Sequence, residues 1–512
     1  MGDCGTDTQL RKSRLRYHLE RLWLAVSGVS QLNNLVGTEL AACCSLTRSK
    51  RMAMDRRGLI TAGAGVGLVA GSMALSSRGV GARETVTGNT VRRSNVGVRD
   101  DRAFGVSVSF VDDETLDQTK TLQDAIDLAA QSRRPVLLPA GRFLVSALTL
   151  RDGTTLVGAH GKTSLLFGGG PVFITADNGS DIRLEGLTFD GRGLAQELVA
   201  FRSCQRVAIE CCEFRLSIGH GLSMALCSGR VANCDVSYAG MAGIFSVDAT
   251  GMEICDNRVH KCSNNGIQVW RSKVGDDGSV VSRNRVFDIA SRDGGSGQNG
   301  NGINVYRAGG VMVSDNQISD CAYSAVRGNA ASNIQIIGNS CARMGEVAIY
   351  SEFGFEGAVI SSNIVDTAAC GIAVTNFNEG GRLVVVHGNL VRNLFRREHE
   401  PQDKRGEGIA VEADASVVGN TIEAAQSVGL SLGWGPYMRD VVANGNVIRS
   451  CPVGIAVTSD KDAGACVVSQ NLISGAIKGA IRAMDRGHVH GRELSNSEMK
   501  TGRVLISGNM AV

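Results

Sequence analysis

Four residues of chemically useful type stand at fixed places in a recurring line that reads Gly-Ile-x-Val. Arg327 and Tyr350 occupy x in weaker copies of the line, and Glu352 and Glu412 stand two residues after x. If the line is a β-strand, x and the residue two further on face the same way, opposite to Ile and Val. Two carboxylates two strand spacings apart would lie about 9–10 Å from each other, near the upper end of the separation that suits an inverting glycosidase. A base such as Tyr350 or Glu352 beside Arg327, which would neutralise a uronate, is instead what a lyase or epimerase needs. A third reading is bland: outward positions of any sheet are polar, and a carboxylate there is simply solvated.

The elements that must position these groups are repeats. The line occurs at Gly243, Gly266, Gly302, Gly371, Gly408 and Gly454, with weaker copies at Gly221, Ala325, Ala348, Gly429 and Ala480. Most steps are 21–26 residues. A repeat this short means stacked units, none able to bury its apolar face alone. Each unit holds two or three strand-like runs with period-two alternation and no room for a helix. The expected fold is all-β: a single right-handed parallel β-helix, one unit per coil. A second line, an Asn followed two residues later by Val or Ile, runs out of phase at Asn233, Asn257, Asn284, Asn316, Asn363, Asn389, Asn420, Asn446 and Asn471, with a degenerate copy at Asn339. It is expected to mark a turn where Asn visits αL and bonds its own main chain.

Two steps are long, 36 residues from Gly266 to Gly302 and 37 from Gly371 to Gly408. The surplus falls in 291–301 and 395–407, both entering the line from the same side, so the two loops should project from one edge and bracket a groove. In that strip the outward columns hold Gln268, Asn304, Arg327 and Tyr350, and Trp270, Tyr306, Asn329 and Glu352. Trp270, Tyr306 and Tyr350 are suited to stacking on sugar faces, and Arg327, with Arg271 and Arg307, to pairing with carboxylates. Asn376, Asn378 and Trp434 stand at nearby strand ends. The catalytic candidates are Arg327, Tyr350, Glu352 and Glu412; the other residues named in this strip are binding candidates. The expected partner is a polysaccharide, an acidic glycan by preference.

The amino-terminal stretch reads as an address. Arg56-Arg57 precedes an uncharged, Gly- and Ala-rich run from Gly58 to Leu75, and Val80-Gly81-Ala82 offers a cleavage site. This resembles a twin-arginine export signal. The expected division is 1–53, an extension or mis-called start; 54–82, the signal, read by the twin-arginine export machinery; 83–100, a flexible lead-in; and 101–512, the β-helix. Thr119 to Gln131 carries Leu122, Ala125, Ile126 and Ala129 on one helical face, which suits a cap over the open end of the solenoid. That helix, the run Val136-Leu137-Leu138-Pro139-Ala140-Gly141 and the turn Leu156-Val157-Gly158 resemble the opening of the pectin-lyase-like superfamily. With the signal and the repeats, about 54–512 resembles the twin-arginine-translocated β-helix repeat proteins, a family whose activity is unassigned. The resemblance implies fold and periplasmic or secreted location, and carbohydrate chemistry only by analogy.

Net charge is +3, so nucleic acid is not called for, and no apolar run in the repeats spans a membrane. Cys204 and Cys227, and Cys211 and Cys234, are 23 residues apart. Each pair suits stacked neighbours, either disulfide-linked or, preferably, a reduced ladder. There is no CxxC, so no metal site is predicted. No cofactor is predicted from any ligand cluster either, although export of a folded protein is compatible with a metal or prosthetic group. Gly219-His220-Gly221 lacks the upstream Asp pair that polygalacturonases carry. The remaining alternative is a non-catalytic binding or envelope-scaffold protein.

Overall fold

The structure is a computed structural model that describes residues 105–108, 110–111, 113–295, 297–377, 380–397, 406–495, 499–501 and 503–512. The expected extension, export signal and lead-in lie outside the described residues, as do Asn378 and the middle of the 395–407 loop. From Val106 onward the strands fall into three sheets of 17, 15 and 15 strands, each strand paired with its equivalent one coil away. The pairing is parallel throughout, save for Ile481–Asp485 against His488–Glu493 and Met499–Thr501 against Val504–Ser507 near the carboxyl end. The helix Thr119–Ser132 precedes the repeats and buries Leu122, Ile126 and Ala129.

The Gly-Ile-x-Val line is one strand of each coil. Ile267, Ile303, Val326, Ile349, Ile372 and Ile409 are in direct register and fully buried, forming an aliphatic stack along the axis. The glycine before Ile has a packing cause. A Cβ at Gly408 would fall 2.3 Å from the Gly429 carbonyl oxygen and 2.5 Å from Ile422 Cγ2, so its absence lets coils close to strand spacing at this corner.

The asparagine line is structural, but not in the expected way. The side chains of Asn257, Asn284, Asn316, Asn339, Asn363, Asn389, Asn420, Asn446, Asn471 and Asn509 point inward and form one amide ladder. Asn363 is typical. Its Nδ2 donates to the Ile336 carbonyl at 2.9 Å and to Asn389 Oδ1 at 3.0 Å, while its Oδ1 accepts from the backbone N–H and the Nδ2 of Asn339. The left-handed residue is the one before the ladder Asn: Asp256, Arg283, Asp315, Ser362 and Gln470 have φ of 55–59°, and Gly occupies most other copies. Asn233 is itself left-handed, at φ 54°, and stands outside the ladder; Cys234 takes its place, and its N–H donates to Asn257 Oδ1 at 3.0 Å. Asn339 is a full member, not a degenerate one.

The same corner corrects a cysteine pairing. Glu213 pairs with Asp235, so Cys212, not Cys211, neighbours Cys234, because Cys211 is the left-handed residue at φ 53°. All twelve described cysteines carry free thiols, and all but Cys211 are buried.

A ladder rung leaves buried donors behind when it is removed, and each orphaned group costs about 1–3 kcal/mol. Asn363→Ala should therefore lower unfolding free energy by about 3 kcal/mol in a denaturant titration. Asn233→Ala, outside the ladder and exposed, should cost about 1 kcal/mol or less.

Candidate functional site

The outward columns stack as coils. Gln268, Asn304, Arg327, Tyr350, Ala373 and Ala410 are register partners in sequence, and so are Trp270, Tyr306, Asn329, Glu352 and Thr375. Glu412 lies one residue past the paired strand Glu407–Val411, so it continues the second column without being bonded into it. Both long insertions leave the strand of the third sheet and return to the Gly-Ile strand, at the same corner of two different coils.

The loop after residue 290 does more than flank the strip. It folds over it. Asn304 Nδ2 donates to the Gln298 carbonyl at 3.2 Å, Asn265 Nδ2 to the same oxygen at 3.1 Å, and Tyr323 Oη to the Gly295 carbonyl at 3.0 Å. Gly297 has φ +126°, and a Cβ there would fall 1.5 Å from Arg327 Nη1, so the loop backbone lies directly on the guanidinium. Gln268, Asn304 and Arg327, expected to face solvent, are buried in consequence; Tyr350, also expected outward, is buried in a cluster with Val347, Cys370 and Ala373, and Glu352 is only 2% exposed.

Arg327 and Glu352 are joined to each other. Arg327 Nε donates to Glu352 Oε1 at 2.6 Å, Asn329 Nδ2 donates to the same oxygen at 2.8 Å, and Glu346 Oε2 lies 3.9 Å from Arg327 Nη1. The guanidinium also sits over the Tyr350 ring at 4.9 Å. Burial works against the Arg327 charge, and Glu352 more than offsets it, so its pKa is raised. The carboxylate expected as half of a catalytic pair is thus committed to an internal ion pair.

The open part of the face lies one to four coils further on. A small, shallow pocket of about 30 Å³ is lined by Tyr350, Thr375, Glu407, Glu412, Ser431, Trp434 and Met484, among others. Three sequence candidates meet here: Tyr350, Glu412 and Trp434. Glu412 Oε2 accepts backbone N–H groups of Asn376 and Phe377 at 2.8 and 3.2 Å, and the Asn376 side chain bridges to Ala413 on the next coil. Phe377 stacks on Tyr437 at 4.4 Å beside Trp434. Glu407 is the residue that sequence reasoning missed. It is buried, accepts the Ser431 hydroxyl at 2.9 Å, and pairs in register with Cys370 and Val428. The signal was available: a charge immediately before Gly-Ile, where the flanking coils carry Cys370 and Val428.

Upstream, Trp270, Arg271, Tyr306 and Arg307 gather beyond the covering loop. Trp270 and Tyr306 meet edge to face at 5.5 Å, the Arg307 guanidinium lies over Tyr306 at 4.7 Å, and Arg271 Nη1 donates to the Ala249 carbonyl at 3.0 Å. Phe245 meets Trp270 at 5.6 Å and stacks on His220 at 4.6 Å. Burial holds the His220 imidazole down to about 4 and pushes Glu197 on the preceding coil up to about 7.

Comparison with known proteins fits this architecture. Residues 274–436 match a family model described as a right-handed β-helix region. The chain folds as a right-handed parallel β-helix. Residues 174–352 also match a model described as periplasmic copper-binding protein (NosD). A search of curated proteins finds no match. Among solved structures, the A-module of mannuronan C-5 epimerase AlgE4 from Azotobacter vinelandii is 18% identical, over 80% of this chain and 99% of that one, with a TM-score of 0.40. The surface adhesin PfbA of Streptococcus pneumoniae is 15% identical over 80% and 99%, with a TM-score of 0.43. The amino-terminal fragment of bacteriophage phi29 gene product 12 is 16% identical over 80% and 71%, with a TM-score of 0.46.

Removing one partner of a buried ion pair strands the other, at about 3–5 kcal/mol. Arg327→Met should cost that much in a denaturation experiment, and Glu352→Gln in the same chain should restore part of it. If Arg327→Met alone is neutral, the closed arrangement beneath Gly297 is wrong.

Proposed function

We propose that this chain is an exported protein that binds a polysaccharide in the groove running from Tyr350 to Trp434. One observation carries the reading: two aromatic rings, Tyr350 and Trp434, and two carboxylates, Glu407 and Glu412, line a single shallow pocket on the sheet, with Trp434 and Glu412 partly exposed at its surface and Tyr350 and Glu407 buried at its floor. Aromatic faces suit sugar rings, and fixed carboxylates suit their hydroxyls. Export through the twin-arginine route is part of the proposal, resting on the Arg56-Arg57 stretch. The match to a family described as periplasmic supports export. Among the described residues no group of three His, Cys, Asp or Glu side chains is placed to hold a metal ion.

An acidic glycan was expected largely on account of Arg327, and that cation is already neutralised by Glu352. Of the other two expected cations, Arg271 lies 4.0 Å from the buried Asp277 carboxylate, and Arg307, over the Tyr306 ring, favours an acidic chain. Turnover and pure binding each have an observation in their favour. Glu407 and Glu412 in one groove suit acid–base cleavage of a glycosidic bond. The burial of Glu352 in an ion pair removes the other expected member of a catalytic pair and suits a scaffold.

Trp434→Ala should weaken glycan binding by at least about tenfold, roughly 1.4 kcal/mol, in calorimetry against whichever chain a glycan array identifies. Reducing ends released by the intact protein and abolished by Glu412→Gln would establish cleavage. Tight binding with neither reducing ends nor unsaturated products would establish the scaffold. Unchanged affinity of the Trp434→Ala protein would remove the groove from consideration.

A further inference from the structure

We infer that the bound glycan is a long chain lying parallel to the solenoid axis, its far end stacked on an aromatic shelf of Phe245, Trp270 and Tyr306. This rests on the polysaccharide reading of the groove and adds a second, distant subsite to it. Three observations support it.

The shelf is continuous. Phe245, Trp270 and Tyr306 come from three successive coils, with ring centroids 5.6 and 5.5 Å apart in edge-to-face contact. His220 buttresses it by stacking on Phe245 at 4.6 Å, with its Nδ1 accepting the Ala242 N–H at 3.3 Å. Side chains fixed in this way lose little freedom when a ligand arrives.

The shelf is accessible where its neighbours are not. The covering loop takes the first outward column, leaving Gln268 5% and Asn304 4% exposed, while Trp270 and Tyr306 in the second column stay half-exposed. That division leaves an aromatic surface beside the loop and none beneath it.

The shelf and the groove share one track. Trp270, Tyr306, Asn329, Glu352 and Thr375 are register partners, and the same column leads on to Glu412 at the groove. Asn329 and Thr375 are polar and partly exposed on either side of the buried Glu352, so a chain on this track passes over the Glu352 coil without reaching its carboxylate. From the Trp270 strand to the strand preceding Trp434 is six coil steps, about 29 Å at strand spacing. A disaccharide cannot bridge that distance, and a polymer can.

The test uses a glycan array carrying acidic and neutral chains from disaccharide to polymer, probed with the full chain and with two variants. The intact protein should prefer the longest members of one series. Phe245→Ala combined with Trp270→Ala should lose about tenfold in affinity for the longest chains and leave the shortest binders unchanged. Trp434→Ala should weaken long and short chains alike. Thermal melts of both variants show whether the coils remain intact. A shelf variant that binds every length like the intact protein, while Trp434→Ala still loses affinity, overturns the shelf alone. A shelf variant that melts like the intact protein but weakens the shortest chains as much as the longest also overturns it. No binding of any chain by the intact protein overturns the polysaccharide reading and the shelf with it.

Discussion

Everything on the outward face depends on coils stacking in constant register, and a buried run of amides fixes that register. Each ladder Asn bonds the coil before it and the coil after it, through backbone and side chain at once. A slip of one residue would orphan every one of these groups and turn each strand over. Hydrophobic stacking of Ile and Val favours close coils without choosing among registers; the amides choose. Residues 23 apart in sequence thereby become neighbours, and a surface is written in columns across the repeats.

On that scaffold the molecule departs from repetition in two places. The first insertion returns across the sheet and seals a buried ion pair beneath Gly297. The second leaves the same corner four coil steps further on and leads into the strand that carries Glu407. One coil face therefore carries a closed polar cluster between an aromatic shelf and an acidic groove. Glu412, the partly exposed carboxylate of the pocket, lies on the far side of that closure, with Glu407 buried beneath it.

Sequence disclosed the coil period, the inward Ile and Val, the outward columns and the edge from which both insertions leave, because each follows from alternation and spacing. It did not disclose where the first insertion goes. Gly294, Gly295, Gly297 and Gly300 all adopt positive φ, and a run with that freedom gives no direction until tertiary contacts set one. Arg327, Tyr350 and Glu352 were thus legible as neighbours and illegible as buried. The Asn line was found and its role misread, since Asn suits both an αL turn and an amide ladder; the residue before it, so often Asp or Gly, was the sign that the turn was already occupied. Glu407 stands neither at x nor two residues after it, so the alternation that marks outward positions does not single it out, although a charge before Gly-Ile breaks the pattern of the flanking coils.

The central claim is that one face of this solenoid, the sheet carrying the Gly-Ile line, is the surface that meets a sugar chain. A crystal structure of the protein with a bound oligosaccharide tests it most directly. The account predicts sugar rings along the second outward column, running with the axis and in contact with Trp434 and Glu412. A glycan seated on either of the other two sheets, or crossing the coils at right angles away from these residues, would contradict it.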